Sequence, residues 1–171
     1  NYYRKLKKIY GRKNMEIFDK EAAVDYAKEW ALSHNKHYRI KCGCGEGTNF
    51  ASQCLYSGAG VMNTSRENGW YYNSAEDISP SWTEPELLFK YLTGRGNKGP
   101  SAVETEKSAV CEGDIVQFGD CDGYFYHTAV ITKIYGGRIF VCAHADNAYM
   151  RPITSYRAAS VRYLHIIGTR I

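Results

Sequence analysis

The chain has 171 residues, of which 44% are hydrophobic and 23% charged, a composition typical of one globular domain. Its net charge of +4 arises in the first 14 residues, NYYRKLKKIYGRKN, where six basic residues stand without an acid. The remainder has no basic cluster and no apolar run long enough to cross a membrane, so neither nucleic-acid binding nor a membrane span is predicted.

The uneven distribution of charge divides the chain into two segments. We predict a basic lead-in segment over residues 1–14 and a single domain over residues 15–171. The lead-in is interpreted as a solvated linker, with contact to an anionic polymer or a membrane surface as the alternative. The start at Asn1 fits a mature form trimmed behind an export signal, and a trimmed cytosolic domain equally.

Two helices are predicted in the first third of the chain. In FDKEAAVDYAKEWALSHN, apolar residues recur at steps of three and four, Asp19 can cap the helix and Asn35 can stop it. After the loop CGCGEG, the segment TNFASQCLYSGAG predicts a short buried helix capped by Thr48 and closed by Gly58 and Gly60.

The rest of the chain changes from helical to strand periodicity. Residues 61–82 and 94–101 are predicted loops, and a third helix is predicted from about Glu84 to Leu92, with Pro85 in its first turn. The runs GDIVQF, HTAVITKIY, RIFVCAHA and VRYLHIIG then predict strands, with a tight hairpin at residues 136–137. Helices followed by strands indicate an α+β domain with an antiparallel sheet.

Two histidines stand at the ends of the predicted hairpin. His127 opens one strand and His144 ends the next, so we expect them to meet at one edge of the sheet. A base whose second ring nitrogen is held by a polar group is what nucleophilic catalysis requires. Asp146 and Asn147 lie just beyond and are alternative third members.

No metal and no other cofactor are predicted. The acids Asp120 and Asp122 in GDCDG lack the remaining ligands of a calcium loop, so a turn is favoured. Cys42 and Cys44 form C-x-C, which is not the spacing of a zinc site. The histidines outside the hairpin are interpreted as surface or structural residues (His34, His37 and His165).

Several segments, taken in order, resemble one known family: DKEAAVDYAKEWA, GTNFASQCLYSGAGVMN, GWYYN, SWTEPELLFKYL, GDIVQF, HTAVIT, CAHADN and YLHI. They are similar to the putative amidase domain found in exported proteins of Gram-positive bacteria, a relative of the papain-like NlpC and CHAP cell-wall peptidases. The resemblance implies a papain-like α+β fold with N-terminal helices packed on a C-terminal antiparallel sheet. It also implies a secreted, wall-associated cysteine amidase or peptidase that cleaves peptide amide bonds of peptidoglycan.

The resemblance assigns roles to particular residues. The family motif D-C-T-N-F corresponds to residues 46–50 here, so Gly47 occupies the position of the nucleophilic cysteine. His127 matches the general base, and His144 matches the polar residue that orients it. Glu46 and Thr48 flank the oxyanion region at the helix start. The aromatics Trp70 and Trp82 are candidates for the groove and equally for the core.

Glycine at position 47 supplies backbone but no sulfur, so the chain as written is expected to be inactive. We favour replacement of a native cysteine, because the base and the surrounding motif are retained. The alternatives are a pseudoenzyme that binds wall polymer or peptide, or the use of another thiol. Cys54 lies about two helical turns away, whereas Cys44 remains open as a substitute. A transferase on the same scaffold is a third functional class.

Overall fold

The computed structural model describes residues 15–171, so the predicted basic segment over residues 1–14 lies outside the described residues. The described chain contains four α-helices, one seven-stranded antiparallel sheet and a separate two-stranded hairpin. The helices are α1 (Lys20–Trp30), α2 (Glu46–Ala59), α3 (Pro80–Thr83) and α4 (Pro85–Thr93).

The start of α1 follows from its capping residue. The Asp19 side chain accepts a hydrogen bond of 2.9 Å from the Ala22 amide, which confirms the predicted cap. The helix ends at Trp30, earlier than the predicted stop at Asn35. The Asn35 side chain instead caps a short 3-10 turn by accepting a hydrogen bond from the His37 amide.

Helix α2 begins without any side-chain cap. Gly45 adopts the left-handed conformation, with φ of 80°, and turns the chain directly into Glu46. The predicted cap at Thr48 is therefore wrong, because Thr48 lies within the first turn. Gly60 ends the helix in the left-handed conformation, as predicted, and its amide donates to the Tyr56 carbonyl.

The strands of the large sheet are β1 (Met15–Glu16), β4 (Gly99–Thr105), β5 (Ile115–Gly119), β6 (Phe125–Tyr135), β7 (Arg138–Ala143), β8 (Ala148–Pro152) and β9 (Ser160–Arg170). They follow the order β1-β9-β5-β6-β7-β8, and β4 pairs with β9 as well. The two-stranded hairpin joins β2 (Tyr72–Ser74) to β3 (Asp77–Ile78). The four predicted strand runs correspond to β5, β6, β7 and β9, which confirms them.

Strand β4 was missed because its first residues are typical of a loop. Gly99 and Pro100 fall within the predicted loop over residues 94–101, yet both belong to β4. Among the described strands β4 pairs with β9 alone, and proline is tolerated in such an edge strand. The strands β1, β2 and β3 are two or three residues long, too short to show a period.

The four helices and the sheet enclose the main core, which confirms the predicted α+β class. Aromatic and aliphatic side chains fill this layer (Phe50, Leu55, Trp70, Trp82, Leu88 and Ile115 among them). A second cluster lies around Phe118, Ile131 and Val141. None of the helices within residues 15–171 combines the length and apolar character that a membrane crossing requires.

Candidate active site

Gly47 faces the imidazole of His127. A β-carbon built on Gly47 would lie 2.9 Å from Nδ1 and 3.1 Å from Cε1 of His127. The nearest atoms belong to a side chain that can rotate, so a larger residue at position 47 displaces the ring and not the backbone. Any side chain introduced at position 47 therefore contacts the imidazole directly.

Neighbouring residues hold these two positions together. The Thr48 and Thr128 hydroxyl groups are 2.9 Å apart and join the first turn of α2 to β6. The Gln117 side-chain amide donates to the Thr128 hydroxyl, and its carbonyl accepts from Arg162. Arg162 in turn forms an ion pair with Glu86 on α4. Because residues 47 and 127 directly precede the two threonines, this buried network sets their separation.

The first turn of α2 presents backbone donors at the same place. The Asn49 amide is the first to bond within the helix, donating to the Gly45 carbonyl over 2.8 Å. The backbone amides of residues 46–48 lie in the first turn, where no carbonyl of the helix is available to accept their hydrogen bonds. Together with the positive end of the helix dipole, they form an environment that favours an anion.

His127 is a largely buried base with a carboxylate on its far side. Its side chain is 13% exposed, and Nε2 lies 3.7 Å from Asp146 Oδ1. Among the described residues, Nε2 has no hydrogen-bond partner. Burial lowers the pKa of His127; Asp146 opposes this effect and the Arg151 charge adds to it. The imidazole is therefore biased toward its neutral form, which can accept a proton.

Two further residues hold Asp146. Arg151 Nη1 donates to Asp146 Oδ2 over 2.8 Å, and the Tyr156 hydroxyl donates to the same oxygen. The pKa of Tyr156 is raised by burial and by the adjacent carboxylate. Its ring stacks on Phe118 at a centroid distance of 4.2 Å and lies 5.8 Å from the His127 ring. Asp146 is thus oriented by an arginine and a tyrosine that no sequence pattern marks as site residues.

The turn that carries Asp146 has an uncommon backbone. Ala143 pairs with Ala148, so residues 144–147 form the connection between β7 and β8. Ala145 and Asn147, on either side of Asp146, have φ of 73° and 49°. This left-handed region costs a non-glycine residue about 1–2 kcal/mol, which the surrounding packing must offset. The turn brings Asp146, and not Asn147, to the His127 ring.

His144 does not orient His127, contrary to the prediction. Its Nδ1 atom lies 3.0 Å from Glu46 Oε1, and its Nε2 atom lies 2.7 Å from the Trp30 carbonyl oxygen. Its ring stacks on Phe50 at 3.9 Å. Both nitrogens are therefore engaged by groups other than His127, and Glu46 points toward His144.

A β-bulge explains why these histidines separate. The pairing of β6 with β7 shifts by one residue between Ile131 and Lys133. Continued without the bulge, the hairpin register would place His127 and His144 on the same face. With the bulge, the register that pairs Val130 with Cys142 extends to place His144 level with Thr128, so the two histidines fall on opposite faces.

An open groove begins two residues before Gly47. It has a volume of about 780 Å³ and is lined by Gly45, Thr83, Glu84 and Tyr126, among others. Trp70 and Trp82 do not line it; both are fully buried in the core, so their predicted groove role is wrong. The aromatic residues of the groove come instead from the segment over residues 124–126.

The family comparison covers the part of the chain that carries this arrangement. The model of a family described as a putative amidase domain matches residues 17–167, which is most of the chain. The chain belongs to this amidase domain family. Its members are named for hydrolysis of amide bonds, and the match spans both Gly47 and His127.

Two uncharacterized proteins of Bacillus subtilis strain 168 are similar to this amidase domain. YhbB is 31% identical over 163 residues, covering 88% of this chain and 50% of YhbB. YjcM is 27% identical over 138 residues, covering 74% of this chain and 30% of YjcM. The chain thus spans half or less of the curated relatives it matches. No solved structure matches it significantly.

The two candidate substitute thiols, Cys44 and Cys54, are poorly placed to replace a thiol at position 47. Cys54 is fully buried within α2, and burial raises its pKa, which disfavours the thiolate. Cys44 is joined to Cys42 by a disulfide.

The predicted turn at Asp120 is confirmed, because its side chain accepts hydrogen bonds from the amides of Asp122 and Tyr124.

Proposed function

We propose that this amidase domain has the site of a papain-like cysteine amidase, held here in a form without its nucleophile. A cysteine at position 47 would attack, His127 would act as base and acid, and Asp146 would orient His127. The observation that carries the proposal is the position of a β-carbon at residue 47, 2.9 Å from His127 Nδ1. The carboxylate of Asp146 lies near the other ring nitrogen, at 3.7 Å.

With cysteine at position 47, the reaction proceeds in two halves. His127 Nδ1 accepts the thiol proton, and the thiolate attacks the amide carbonyl carbon. Backbone amides of the first turn of α2 stabilise the resulting oxyanion. His127 then donates its proton to the leaving nitrogen, and a thioester and a free amine form. Water, deprotonated by His127, hydrolyses the thioester to a carboxylic acid and regenerates the thiol.

The environment of position 47 supports an activated thiolate. The positive end of the α2 dipole stabilises a negative sulfur, and an adjacent imidazolium stabilises it further. Arg151 and Tyr156 hold Asp146 beside the imidazole, so the carboxylate that would orient His127 is in place before substrate binds. The papain-like assignment rests on this combination of a nucleophile helix and a base-bearing antiparallel sheet.

For the substrate, we propose peptide amide bonds of peptidoglycan, cleaved by an exported protein at the wall of a Gram-positive bacterium. The family resemblance supports this choice, as does the open groove of about 780 Å³ that begins beside the first turn of α2. The Cys42–Cys44 disulfide supports export, because disulfides persist in oxidising compartments. Contact of the basic residues 1–14 with an anionic wall polymer belongs to the same proposal.

A second candidate is a wall- or peptide-binding module of the same fold. Gly47 itself favours it, because glycine keeps the groove and the backbone donors and removes the sulfur. The two candidates differ in one prediction: restoring a thiol creates a hydrolase only if the base and its carboxylate are arranged for catalysis.

The variant Gly47→Cys tests the enzyme proposal. We expect it to release amines from purified sacculi, cross-linked wall peptides or simple amides, measured by amine labelling and mass spectrometry. A further His127→Ala substitution should lower the rate by about 10²–10⁴-fold, the usual contribution of a general base.

A matched control is Ser57→Cys, which adds a thiol near the other end of α2. We expect it to stay inert. A folded Gly47→Cys variant without hydrolysis of any of the three substrate classes would contradict the enzyme proposal. Sedimentation of the original chain with sacculi would then support the binding module.

A further inference from the structure

A second cluster of ionisable side chains lies behind the first turn of α2, away from His127. It consists of His34, Glu46 and His144, whose ligand atoms all lie within 4.8 Å of one another. Glu46 Oε1 is 3.0 Å from His144 Nδ1 and 3.5 Å from His34 Nε2. The proposed hydrolysis uses none of these three side chains, so their convergence needs a separate explanation.

The hydrogen bonding of His144 leaves one nitrogen directed at the carboxylate. The Trp30 carbonyl can only accept, so His144 Nε2 carries the hydrogen of that 2.7 Å contact. In the neutral ring, Nδ1 is then a lone pair 3.0 Å from a carboxylate oxygen, which is also an acceptor. Two facing acceptors require a proton on the ring or on the carboxyl, or a cation shared between them.

The two distances from Glu46 match the ligand spacing around one tetrahedral ion. Zinc bonds to histidine nitrogen and carboxylate oxygen are about 2.0–2.1 Å long, which separates neighbouring ligand atoms by about 3.3 Å. The observed separations of 3.0 and 3.5 Å from Glu46 Oε1 lie on either side of that value. A ligating histidine commonly donates its other N–H to a backbone carbonyl, as His144 does to Trp30.

The cluster opens into a cavity that leaves room for a further ligand. The cavity has a volume of about 280 Å³ and is lined by all three side chains together with Asn35, Tyr38, Arg39, Ile40 and Gln53. The His144 side chain is 1% exposed, whereas that of His34 is 62% exposed. A fixed inner ligand, a carboxylate and an accessible outer histidine thus surround a space open to water.

We propose that His34 Nε2, Glu46 Oε1 and His144 Nδ1 bind a divalent transition metal of the Zn²⁺ class, with the fourth coordination position open to this cavity. Two imidazoles and one carboxylate form a ligand set found in zinc sites with three protein ligands. The ion would connect α2 to His34, which follows α1, and to His144, which follows β7. The sequence gives no spacing motif for it, which is why the sequence analysis predicted no metal.

A second group of possible ligands does not fit a metal equally well. Cys111, Asp114 and His165 also converge, but the oxygens of Asp114 already accept from Lys20, His165 and backbone amides. No acceptor there faces another acceptor. Cys111 therefore provides a control for non-specific binding of metal by an exposed thiol.

Titration of the original Gly47 chain with Zn²⁺ after chelator treatment tests the proposal, because that chain lacks the thiol a cysteine at position 47 would add. Isothermal titration calorimetry should show one ion per chain, and Co²⁺ should give the visible absorption of a tetrahedral site. His34→Ala and Glu46→Gln should each weaken Zn²⁺ binding by at least about 10-fold.

His37→Ala, which removes a nearby exposed histidine, and Cys111→Ser should leave Zn²⁺ affinity unchanged. Circular dichroism verifies that each variant is folded. The proposal is overturned if the original chain shows no stoichiometric binding. It is overturned equally if folded His34→Ala and Glu46→Gln variants bind as tightly as the original. The readout is binding and not hydrolysis, so either result leaves the amidase proposal to its own test.

Discussion

The chemistry of the candidate site depends on how His127 is buried. Burial lowers the pKa of His127 below its ordinary value of 6.5, and Asp146 only partly compensates. The folded state then binds fewer protons than the unfolded state at pH values just below 6.5. Since stability rises with pH wherever the unfolded state binds more protons, His127 should destabilise the fold as the pH falls through that window.

We therefore expect His127→Asn to reduce the pH sensitivity of unfolding. Thermal melts of the original protein and the variant measure this sensitivity between about pH 7.5 and pH 5, the range in which histidines titrate. The melting temperature of the original should fall more on acidification than that of the variant. Parallel pH profiles would contradict the lowered pKa of His127.

At the residue scale, the sequence marks His127, the proposed base, more clearly than the carboxylate beside it. His127 stands out because it opens a strand after a turn-rich segment and matches the family motif. Asp146 could be named only as an alternative, because its position depends on a bulge between Ile131 and Lys133 that no residue pattern marks. Arg151 and Tyr156 could not be predicted, since their roles arise only when β8 folds back on β7.

The start of α2 depends on a glycine that has both a special conformation and a close neighbour. Gly45 has φ of 80°, and a β-carbon there would lie 2.6 Å from the Thr83 carbonyl oxygen. Backbone atoms of Thr83 cannot rotate away as a side chain can. We expect Gly45→Ala to lower the free energy of unfolding by about 2–4 kcal/mol, from the left-handed conformation and from overpacking together.

Gly60 at the other end of α2 is the matched control. It has φ of 68°, and a β-carbon there would meet nothing within 4 Å. Gly60→Ala should therefore cost only about 1–2 kcal/mol in urea unfolding, the conformational part alone. Equal losses for the two variants would show that the contact with Thr83 does not matter.

At the element scale, the sequence predicted which segments are helices and strands better than where they begin. Helix α2 was expected from its apolar face, but Thr48 looked like a cap because its residue type is common there. The structure uses Gly45 for the entry and engages Thr48 with Thr128 on a distant strand. Such a contact, 80 residues apart in sequence, has no local signature.

Asp114 connects distant parts of the whole molecule. Its fully buried carboxylate accepts hydrogen bonds from Lys20 on α1, from His165 and the Ile166 amide on β9, and from the Cys111 amide. Asp114→Ala would leave these donors, including the Lys20 charge, without their acceptor. We expect a loss of about 3–5 kcal/mol in the free energy of unfolding, measured by urea denaturation.

Asp25→Ala is the control, because Asp25 is an exposed carboxylate on α1. It should change the free energy of unfolding by less than about 0.5 kcal/mol, as surface substitutions usually do. A loss at Asp114 no larger than at Asp25 would contradict the role of Asp114 in joining α1 to the sheet.

At the scale of the whole molecule, the α+β class could be read from the change of periodicity along the chain. The order β1-β9-β5-β6-β7-β8 could not, because β9 closes the sheet by pairing with strands far apart in sequence. The core position of Trp70 and Trp82 was equally hidden, since a buried and a groove-lining tryptophan have the same residue type. Their indole nitrogens donate to Ser52 and Asn49 of α2, which makes full burial possible.

The most direct test of the central claim is the rate at which iodoacetamide alkylates residue 47 in the Gly47→Cys variant. Mass spectrometry measures this rate from pH 5 to 8, about the range in which histidine titrates. We predict fast alkylation that persists below the ordinary pKa of cysteine, about 8.5, because His127 and the α2 dipole stabilise the thiolate. His127→Ala should slow the reaction at low pH, and Asp146→Asn should weaken its pH dependence. An alkylation rate that follows an ordinary thiol and does not change without His127 would contradict a cysteine–histidine site at position 47.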